Sequence, residues 1–309
     1  MTMTRRQALL SGAALPLAAP AAIATLAPTQ VKAEAHMANL PSFRDFTLGD
    51  FTVTTLLAGS RTVEAPHEIF GLNASDEEFA AASEAAHIPN DKAQFFFTPT
   101  LVNTGTEVIL FDTGLNAAGI GSALNAAGYQ TDDVTHVVIT HMHGDHIGGL
   151  MEGETPTFAN ATYFAGQTEF DYWAGEANDS FEAKIRPLAE QLTFIGDGQS
   201  VRSGVTAMEA FGHTPGHMVY MLESGGQQLL LMADTANHYV YSLAYPDWEV
   251  SFDIIKDAAA ETRKRLLGMA AADGIPLIGY HMPFPGMGYV DTRGEGGFQY
   301  VPHSYQLML

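Results

Sequence analysis

Apolar runs rich in β-branched residues alternate along this chain with alanine-rich stretches. The apolar runs predict strands over residues 51–59, 98–105, 107–114, 136–143, 204–213, 217–224, 227–235 and 276–281. The alanine-rich stretches predict helices over 75–88, 121–129 and 253–274, with Ser75 as an N-cap and Gly274 as a stop. Some strands follow one another as hairpins and others are separated by a helix. This order predicts an α/β fold with two mixed sheets and helices outside them.

One segment breaks the alternation. Residues 60–95 show few strand signals before the sequence QFFFT. We therefore predict an insertion or a mobile loop there, near the functional site.

The first 35 residues have the pattern of an export signal. A charged start with Arg5 and Arg6 precedes a long Ala/Leu run, and a small-x-small sequence at 33–35 offers a cleavage site. The arginine pair is typical of twin-arginine signals, so we expect a periplasmic protein. Its mature chain would be a single domain over 36–309. An uncleaved membrane anchor is the alternative, but three prolines interrupt the apolar run.

Composition limits the chemistry of the mature chain. It contains no cysteine, which excludes disulfides, thiolate metal ligands and cysteine nucleophiles. The formal net charge of −21 disfavours nucleic acid and anionic membrane as partners. Beyond the signal, no apolar stretch is long enough to span a bilayer, so we expect no membrane association after cleavage.

The densest group of metal-ligand side chains lies in THMHGDHIGGL, residues 140–150. Three histidines and one aspartate crowd together there, in a chain with only 12 histidines among 309 residues. If the strand predicted there runs to its end, His141 and His143 project from the same face. A glycine then permits a turn that returns Asp145 and His146 toward the same point. This density indicates a metal site, although one segment cannot enclose an ion alone.

Further ligand-type residues lie near the ends of later apolar strands. They are His213 and His217 in AFGHTPGH, Asp234 in LLLMADT and His281 in LIGYH. Alone, such a histidine is more often a hydrogen-bonded structural residue than a ligand, and Asp234 could equally well cap a helix. Beside segment 140–150, they predict a metal site built from several separated stretches of chain.

Taken in order, THMHGDHIGGL, GHTPGHMVY, LLLMADT and GYHMPFPGMGYV resemble the metal signature of the metallo-β-lactamase superfamily. The resemblance extends over nearly the whole mature chain. Segments such as TLVNTGTEVILFDTG are similar to the exported methyl parathion hydrolase and lactonase-like branch. The resemblance implies an αββα sandwich with two metal ions at the edge between the sheets.

The resemblance also implies a role for each residue. Two triads and a bridging aspartate would hold the metals, namely His141, His143 and His213 for the first ion, Asp145, His146 and His281 for the second, and Asp234 between them. Asp145 and Asp234 would be the catalytic residues, and a hydroxide would form the second bridge. Asp112 and His217 would support the ligands without binding metal. The sequence departs from the family in having Ala233 before Asp234, where relatives often have glycine.

Nitrogen and oxygen ligands suit zinc best, with iron, manganese and cobalt as alternatives. Two such cations activate a bridging hydroxide, and the resemblance implies attack on a small neutral substrate that is a lactone, an aryl ester or an organophosphate triester. We expect Trp173 and Phe284 in the pocket wall, and the phenylalanines at 95–97 in the core. A homodimer is one candidate assembly.

Two other functions stay open. A periplasmic β-lactamase-type amide hydrolase would use the same metal ligands. A non-catalytic periplasmic protein that reuses the fold is the second alternative. It is disfavoured because such relatives commonly lose metal ligands, whereas none is missing in this sequence.

Overall fold

The computed structural model describes residues 42–303. The predicted export signal and the start of the mature chain near His36 lie outside these residues. Within them, no helix is long and apolar enough to cross a membrane.

The described residues form 18 strands, seven α-helices and four 3-10 helices. The strands are β1 (Phe43–Leu48), β2 (Phe51–Leu56), β3 (Gly59–Glu64), β4 (Lys92–Phe97), β5 (Thr100–Asn103), β6 (Val108–Phe111), β7 (His136–Ile139), β8 (Met151–Glu152), β9 (Thr155–Pro156), β10 (Thr162–Gly166), β11 (Leu192–Ile195), β12 (Ser200–Arg202), β13 (Val205–Glu209), β14 (Met218–Ser224), β15 (Gln227–Ala233), β16 (Leu277–Gly279), β17 (Met287–Thr292) and β18 (Phe298–Pro302). The helices are α1 (Asp76–Ala85), α2 (Ala117–Ala126), α3 (Gly144–Ile147), α4 (Gln167–Gly175), α5 (Asp179–Lys184), α6 (Tyr241–Ala244) and α7 (Lys256–Asp273).

Two seven-stranded sheets form the centre of the fold, in the orders β1-β2-β5-β6-β7-β10-β11 and β12-β13-β14-β15-β16-β17-β18. Both are mixed, because β6, β7, β10 and β11 pair in parallel in the first sheet and β15 pairs in parallel with β16 in the second. Alternate side chains on one strand enter different layers. Ile109 and Leu231 share the buried cluster between the sheets, whereas Leu110 packs on the side of α2 and Leu230 on the side of α7. The predicted two-sheet α/β fold is confirmed.

The helix ends have the predicted chemistry. The Ser75 hydroxyl accepts a hydrogen bond from the backbone N–H of Glu78, whose carboxylate accepts one from the backbone N–H of Ser75. This reciprocal capping box starts α1. Helix α7 ends at Gly274, whose φ of +65° lies in the left-handed region that favours glycine.

Segment 60–95 is more regular than we expected. It contains most of β3, a 3-10 helix at Pro66–Glu68, helix α1 and the start of β4. Strands β3 and β4 pair as a separate two-stranded ribbon. The sequence does not reveal β3 because most of its side chains are exposed, so it lacks an apolar alternation.

The predicted strand over 136–143 is also shorter than expected. Strand β7 ends at Ile139, and the next residue, Thr140, is bound through its backbone N–H and its hydroxyl to the carboxylate of Asp112. These side-chain contacts replace the ladder bonds that a longer strand would need. His141 and His143 therefore lie in a loop, and His143 is the N-cap residue of α3.

Candidate metal centre

Seven side chains converge beyond the ends of β7, β15 and β16. The structure brings together all the residues that the sequence predicts as ligands, in three overlapping groups: His141, His143 and His213; His141, His146 and Asp234; and Asp145, His146 and His281. Within each group, one ligand atom per residue lies within 4.8 Å of the others.

The first triad is the tightest. His213 Nε2 lies 3.2 Å from His141 Nε2 and 3.0 Å from His143 Nδ1. These three nitrogens therefore face one point.

The second triad combines a carboxylate with two imidazoles. Asp145 Oδ2 lies 3.3 Å from His281 Nε2 and 3.5 Å from His146 Nε2. His146 and His281 are buried, whereas Asp145 is partly accessible.

Asp234 contacts both triads. Its Oδ2 lies 3.3 Å from His213 Nε2 and 3.2 Å from His281 Nε2, and its Oδ1 lies 3.3 Å from His146 Nε2. One carboxylate thus spans the two groups.

Outer hydrogen bonds orient the imidazoles. The Nδ1 atoms of His146, His213 and His281 each donate a 2.8 Å hydrogen bond, to Asp112, Asp253 and the carbonyl oxygen of Phe96 respectively. The opposite nitrogen of each ring therefore faces the cluster and is free to bind a proton or a metal ion.

His217 is held differently. Its Nδ1 donates to the carbonyl oxygen of Ala210 at 3.1 Å, and its Nε2 accepts from the backbone N–H of Asp234 at 3.2 Å. Both ring nitrogens are occupied, so His217 positions Asp234 rather than offering a ligand atom.

Two buried atoms in the cluster test whether the site fits a cation. His146 Nε2 and Asp234 Oδ1 are buried and make no hydrogen bond. The two atoms lie 3.3 Å apart. Buried polar atoms without a hydrogen bond are costly, and a divalent cation bound by both would satisfy them. An all-nitrogen and oxygen ligand set suits zinc and similar ions. The donor set therefore fits a divalent metal.

The protonation of the cluster also points to a cation. Burial alone would lower the pKa of His281, but the charges of Asp234 and Asp145 outweigh burial and raise it to about 10. Burial would raise the pKa of Asp145, but the charges of His146 and His281 lower it to about 2. Without metal, the cluster holds a proton on an imidazole against ionised carboxylates, and a bound metal ion would displace that proton.

Two supporting carboxylates were not predicted from the sequence. Asp253 binds His213 and forms a buried 2.8 Å ion pair with Arg263. Glu169 accepts hydrogen bonds from the loops that carry His141 and His213; burial raises its pKa, and these bonds oppose that effect. Asp253 and Glu169 both contact predicted ligand loops that are far away in the sequence, so local patterns do not reveal them. For Glu169, the only sequence signal was a charged residue inside the aromatic stretch EFDYW.

A cavity of about 320 Å³ opens above the cluster. His143, Asp145, Asp234 and His281 line the side of the cavity next to the cluster. Its other side chains are mainly apolar and comprise Val63, Phe95, Phe97, Leu115 and Phe252, with Arg61 as the single arginine. Phe95 and Phe97 are thus both buried and part of the wall.

The structure does not place Trp173 or Phe284 in this wall. The Trp173 indole N–H donates to Glu169 at 2.7 Å, and its ring packs edge-on against His143 with centroids 5.6 Å apart. Phe284 lines a separate depression beside Pro283 and Met287. Trp173 therefore supports a predicted ligand from behind, because its polar atom is held by a buried carboxylate.

Comparison with known proteins gives partial sequence matches. Lactamase-like protein nscB of Neosartorya fischeri is 27% identical over 150 residues, which cover 48% of this chain and 39% of that protein. An N-acyl homoserine lactonase of Bacillus sp is 26% identical over 119 residues, 38% of this chain and 45% of the lactonase. The chain thus spans less than half the length of these curated relatives.

Solved structures match over more of the chain. AidC, a dizinc quorum-quenching lactonase, has a TM-score of 0.79 at 25% identity, covering 85% of this chain and 98% of AidC. The hydrolase AbOPH has a TM-score of 0.79 at 23% identity, covering 86% and 98%. The family model of the metallo-beta-lactamase superfamily matches residues 98–275, more than half of the sequence. The chain therefore belongs to the metallo-beta-lactamase superfamily.

Proposed function

We propose that this protein is a binuclear metallohydrolase that opens small neutral lactones. The observation that carries the proposal is a mainly apolar cavity of about 320 Å³ that is lined on one side by the histidine and aspartate cluster. An ester group on that side would lie beside the metal ligands, and an apolar chain would contact the phenylalanine walls.

The metals would supply the reactive chemistry. Two divalent cations held by the ligands of this cluster would activate a water molecule and polarise the carbonyl oxygen of a bound ester. The residues of this chain would determine where the metals and the ester are held. Asp234 contacts both triads, and the Tyr280 hydroxyl donates a 2.6 Å hydrogen bond to the carbonyl oxygen of Asp145, which fixes the loop of the second triad.

Charge favours a neutral substrate. The formal net charge of the chain is −21, so an anionic substrate would meet long-range repulsion before it reached the cavity. A neutral lactone meets little repulsion and gains from charge that develops during hydrolysis. Relatives support the same class, since AidC is a lactonase in complex with an acyl-homoserine product and the Bacillus relative is an N-acyl homoserine lactonase.

A substrate panel tests the proposal. The zinc-loaded protein is assayed against N-hexanoyl homoserine lactone, an aryl ester, methyl parathion and a chromogenic β-lactam. We expect the lactone to have the highest kcat/KM. Faster hydrolysis of the β-lactam or the phosphotriester, or no hydrolysis of any of them, would overturn it.

A matched pair of variants tests the site itself. Asp234→Asn removes one of the two carboxylate oxygens that contact both triads and should lower kcat/KM by about 10²–10³-fold or more. Asp291→Asn, an exposed site on β17, makes the same chemical change and should leave kcat/KM unchanged. Retained lactonase activity in Asp234→Asn would refute the site.

We also propose that residues 1–35 direct twin-arginine export to the periplasm. The paired Arg5 and Arg6 before the apolar run support this. Replacing both arginines with lysine should retain the precursor in the cytoplasmic fraction. Unchanged export of that variant would contradict the proposal.

A further inference from the structure

Glu169 is a buried carboxylate on α4 that accepts four hydrogen bonds. Its Oε1 accepts from the backbone N–H of Met142 at 2.8 Å and from the indole N–H of Trp173 at 2.7 Å. Its Oε2 accepts from the Thr214 hydroxyl at 2.6 Å and from the backbone N–H of Gly216 at 3.0 Å. All four donors are uncharged, so the carboxylate is bound only through directed hydrogen bonds.

These donors flank predicted metal ligands. Met142 lies between His141 and His143 in the chain, and Thr214 directly follows His213. Trp173 adds a further contact, because its ring packs against His143. One carboxylate therefore holds both loops that supply the first triad.

The second loop can approach only because of Gly216. A Cβ atom at this position would overlap the backbone nitrogen of Glu169. The 213–217 loop thus rests directly on the first turn of α4, and any side chain at Gly216 would push it away from the carboxylate.

The second triad has other partners. His146 is held by Asp112, His281 by the carbonyl oxygen of Phe96, and the loop of Asp145 by Tyr280. None of the four hydrogen bonds of Glu169 reaches these residues. Asp112 also binds Thr140 beside His141, so it supports both triads, whereas the hydrogen bonds of Glu169 reach only the loops of the first.

We propose that Glu169 is a positioning residue that selectively sets the metal affinity of the His141, His143 and His213 triad. This inference rests on the metal binding in the proposed function. The carboxylate fixes the spacing of two loops, so that three imidazole nitrogens meet at one point before a cation arrives. Partners of this kind typically change metal affinity by about 10–100-fold when they are replaced.

Glutamine at this position tests the proposal sharply. A glutamine amide has one oxygen and one NH₂ group. In either orientation the NH₂ group therefore faces two N–H or O–H donors whose hydrogen bonds the carboxylate accepts in the wild type. The amide either opposes the N–H groups of Met142 and Trp173, or opposes Thr214 and the N–H of Gly216. In both cases one loop loses its attachment while side-chain size is kept.

The experiment uses the full chain and measures zinc affinity by titration against a competing chelator. In a His281→Ala background only the first triad keeps its full ligand set, and Glu169→Gln should weaken its zinc binding by about 10–100-fold. In a His143→Ala background the second triad keeps its ligands, and Glu169→Gln should leave its affinity within about twofold. Glu176→Gln, an exposed site at the end of the same helix, is the matched control in both backgrounds.

The outcomes distinguish failure of the positioning role of Glu169 from failure of the proposed metal-dependent function. The positioning role would be overturned if Glu169→Gln left zinc affinity unchanged in the His281→Ala background. It would also be overturned if Glu169→Gln weakened zinc affinity equally in both backgrounds. Absence of zinc binding in the wild type would instead overturn the proposed function. If Glu169→Gln does not fold, Thr214→Val removes one donor with little change in shape, and it should weaken zinc binding in the His281→Ala background only.

Discussion

His213 Nδ1 donates a 2.8 Å hydrogen bond to Oδ1 of Asp253, 40 residues further along the chain. Oδ2 of the same carboxylate accepts a 2.8 Å hydrogen bond from Arg263, and all three residues are buried. Arg263 also donates to the carbonyl oxygen of Thr235, directly after Asp234. Helix α7 thus fixes the surroundings of two predicted metal ligands through one guanidinium group.

Replacing Asp253 should destabilise the protein. In Asp253→Ala the Arg263 guanidinium stays buried without its carboxylate partner, and breaking such a pair costs about 3–5 kcal/mol. Urea unfolding of the metal-free protein measures the change, with Asp291→Asn as an exposed control that should change the free energy of unfolding by less than about 0.5 kcal/mol. A loss below about 1 kcal/mol in Asp253→Ala would contradict this prediction.

The same aspartate should contribute to acid sensitivity. Burial would raise the pKa of Asp253, but its hydrogen bonds and its charge interactions with His213 and Arg263 outweigh burial and lower the pKa below the ordinary 3.8. A folded-state pKa below the unfolded value adds stability above that value, and the addition disappears as pH falls through the folded pKa. The stability difference between wild type and Asp253→Asn should therefore shrink below about pH 3.8. A difference that stays constant or grows there, in unfolding curves recorded from pH 3 to pH 7, would refute this.

The sequence was informative where the chemistry is local. The H-x-H-x-D-H spacing and the strand-end positions of His213, Asp234 and His281 predicted which side chains meet. The ends of the elements were less predictable, since β7 stops at Ile139 because a side chain 28 residues away binds Thr140. Short-range patterns contain no information about such a partner.

The supporting residues could not be predicted for the same reason. Glu169 bonds to Met142 across 27 residues and to Thr214 across 45 residues, and no periodicity connects these positions. The resemblance predicted Trp173 in the pocket wall, because it lies where the methyl parathion hydrolase branch has an aromatic pocket residue. Its indole N–H instead needs a buried acceptor, and Glu169 directs the ring toward His143.

Zinc should stabilise the folded chain. His146 Nε2 and Asp234 Oδ1 are buried without a hydrogen bond in the cluster, and a cation bound there contacts the folded state only. At a free zinc concentration of 100 times Kd, one site adds about 2.7 kcal/mol to the free energy of unfolding. Thermal unfolding before and after chelation measures the shift, and magnesium, which prefers oxygen ligands, should give much less. An unchanged Tm on adding zinc would argue against the site.

Ala233 should tolerate glycine. Its φ of +44° lies in the left-handed region at the end of β15, which costs a residue with a Cβ about 1–2 kcal/mol. Relief of this strain should offset the entropy cost of glycine and the lost methyl group, so Ala233→Gly should change the free energy of unfolding by less than about 0.5 kcal/mol. Ala260→Gly within α7 should lose about 1 kcal/mol. A loss at position 233 as large as that at 260 would show that the conformation is not strained.

Arg61 should select substrates by a polar group on their acyl part. It pairs with Phe95 on the β3–β4 ribbon and faces the cavity with Val63 and Phe97. Within the described part of the chain its side chain makes no hydrogen bond or ion pair, so the guanidinium is free to donate to a substrate amide carbonyl.

Arg61→Met keeps much of the apolar stem and removes the donors. A hydrogen bond to a charged group contributes about 1.5–3 kcal/mol, so kcat/KM for N-hexanoyl homoserine lactone should fall about 10–100-fold. An alkyl γ-lactone of similar length lacks the amide carbonyl, and its kcat/KM should change less than about twofold. Arg186→Met removes an exposed arginine outside the cavity and should affect neither substrate. Equal losses for both lactones in Arg61→Met would show that Arg61 shapes the cavity rather than recognising the carbonyl group.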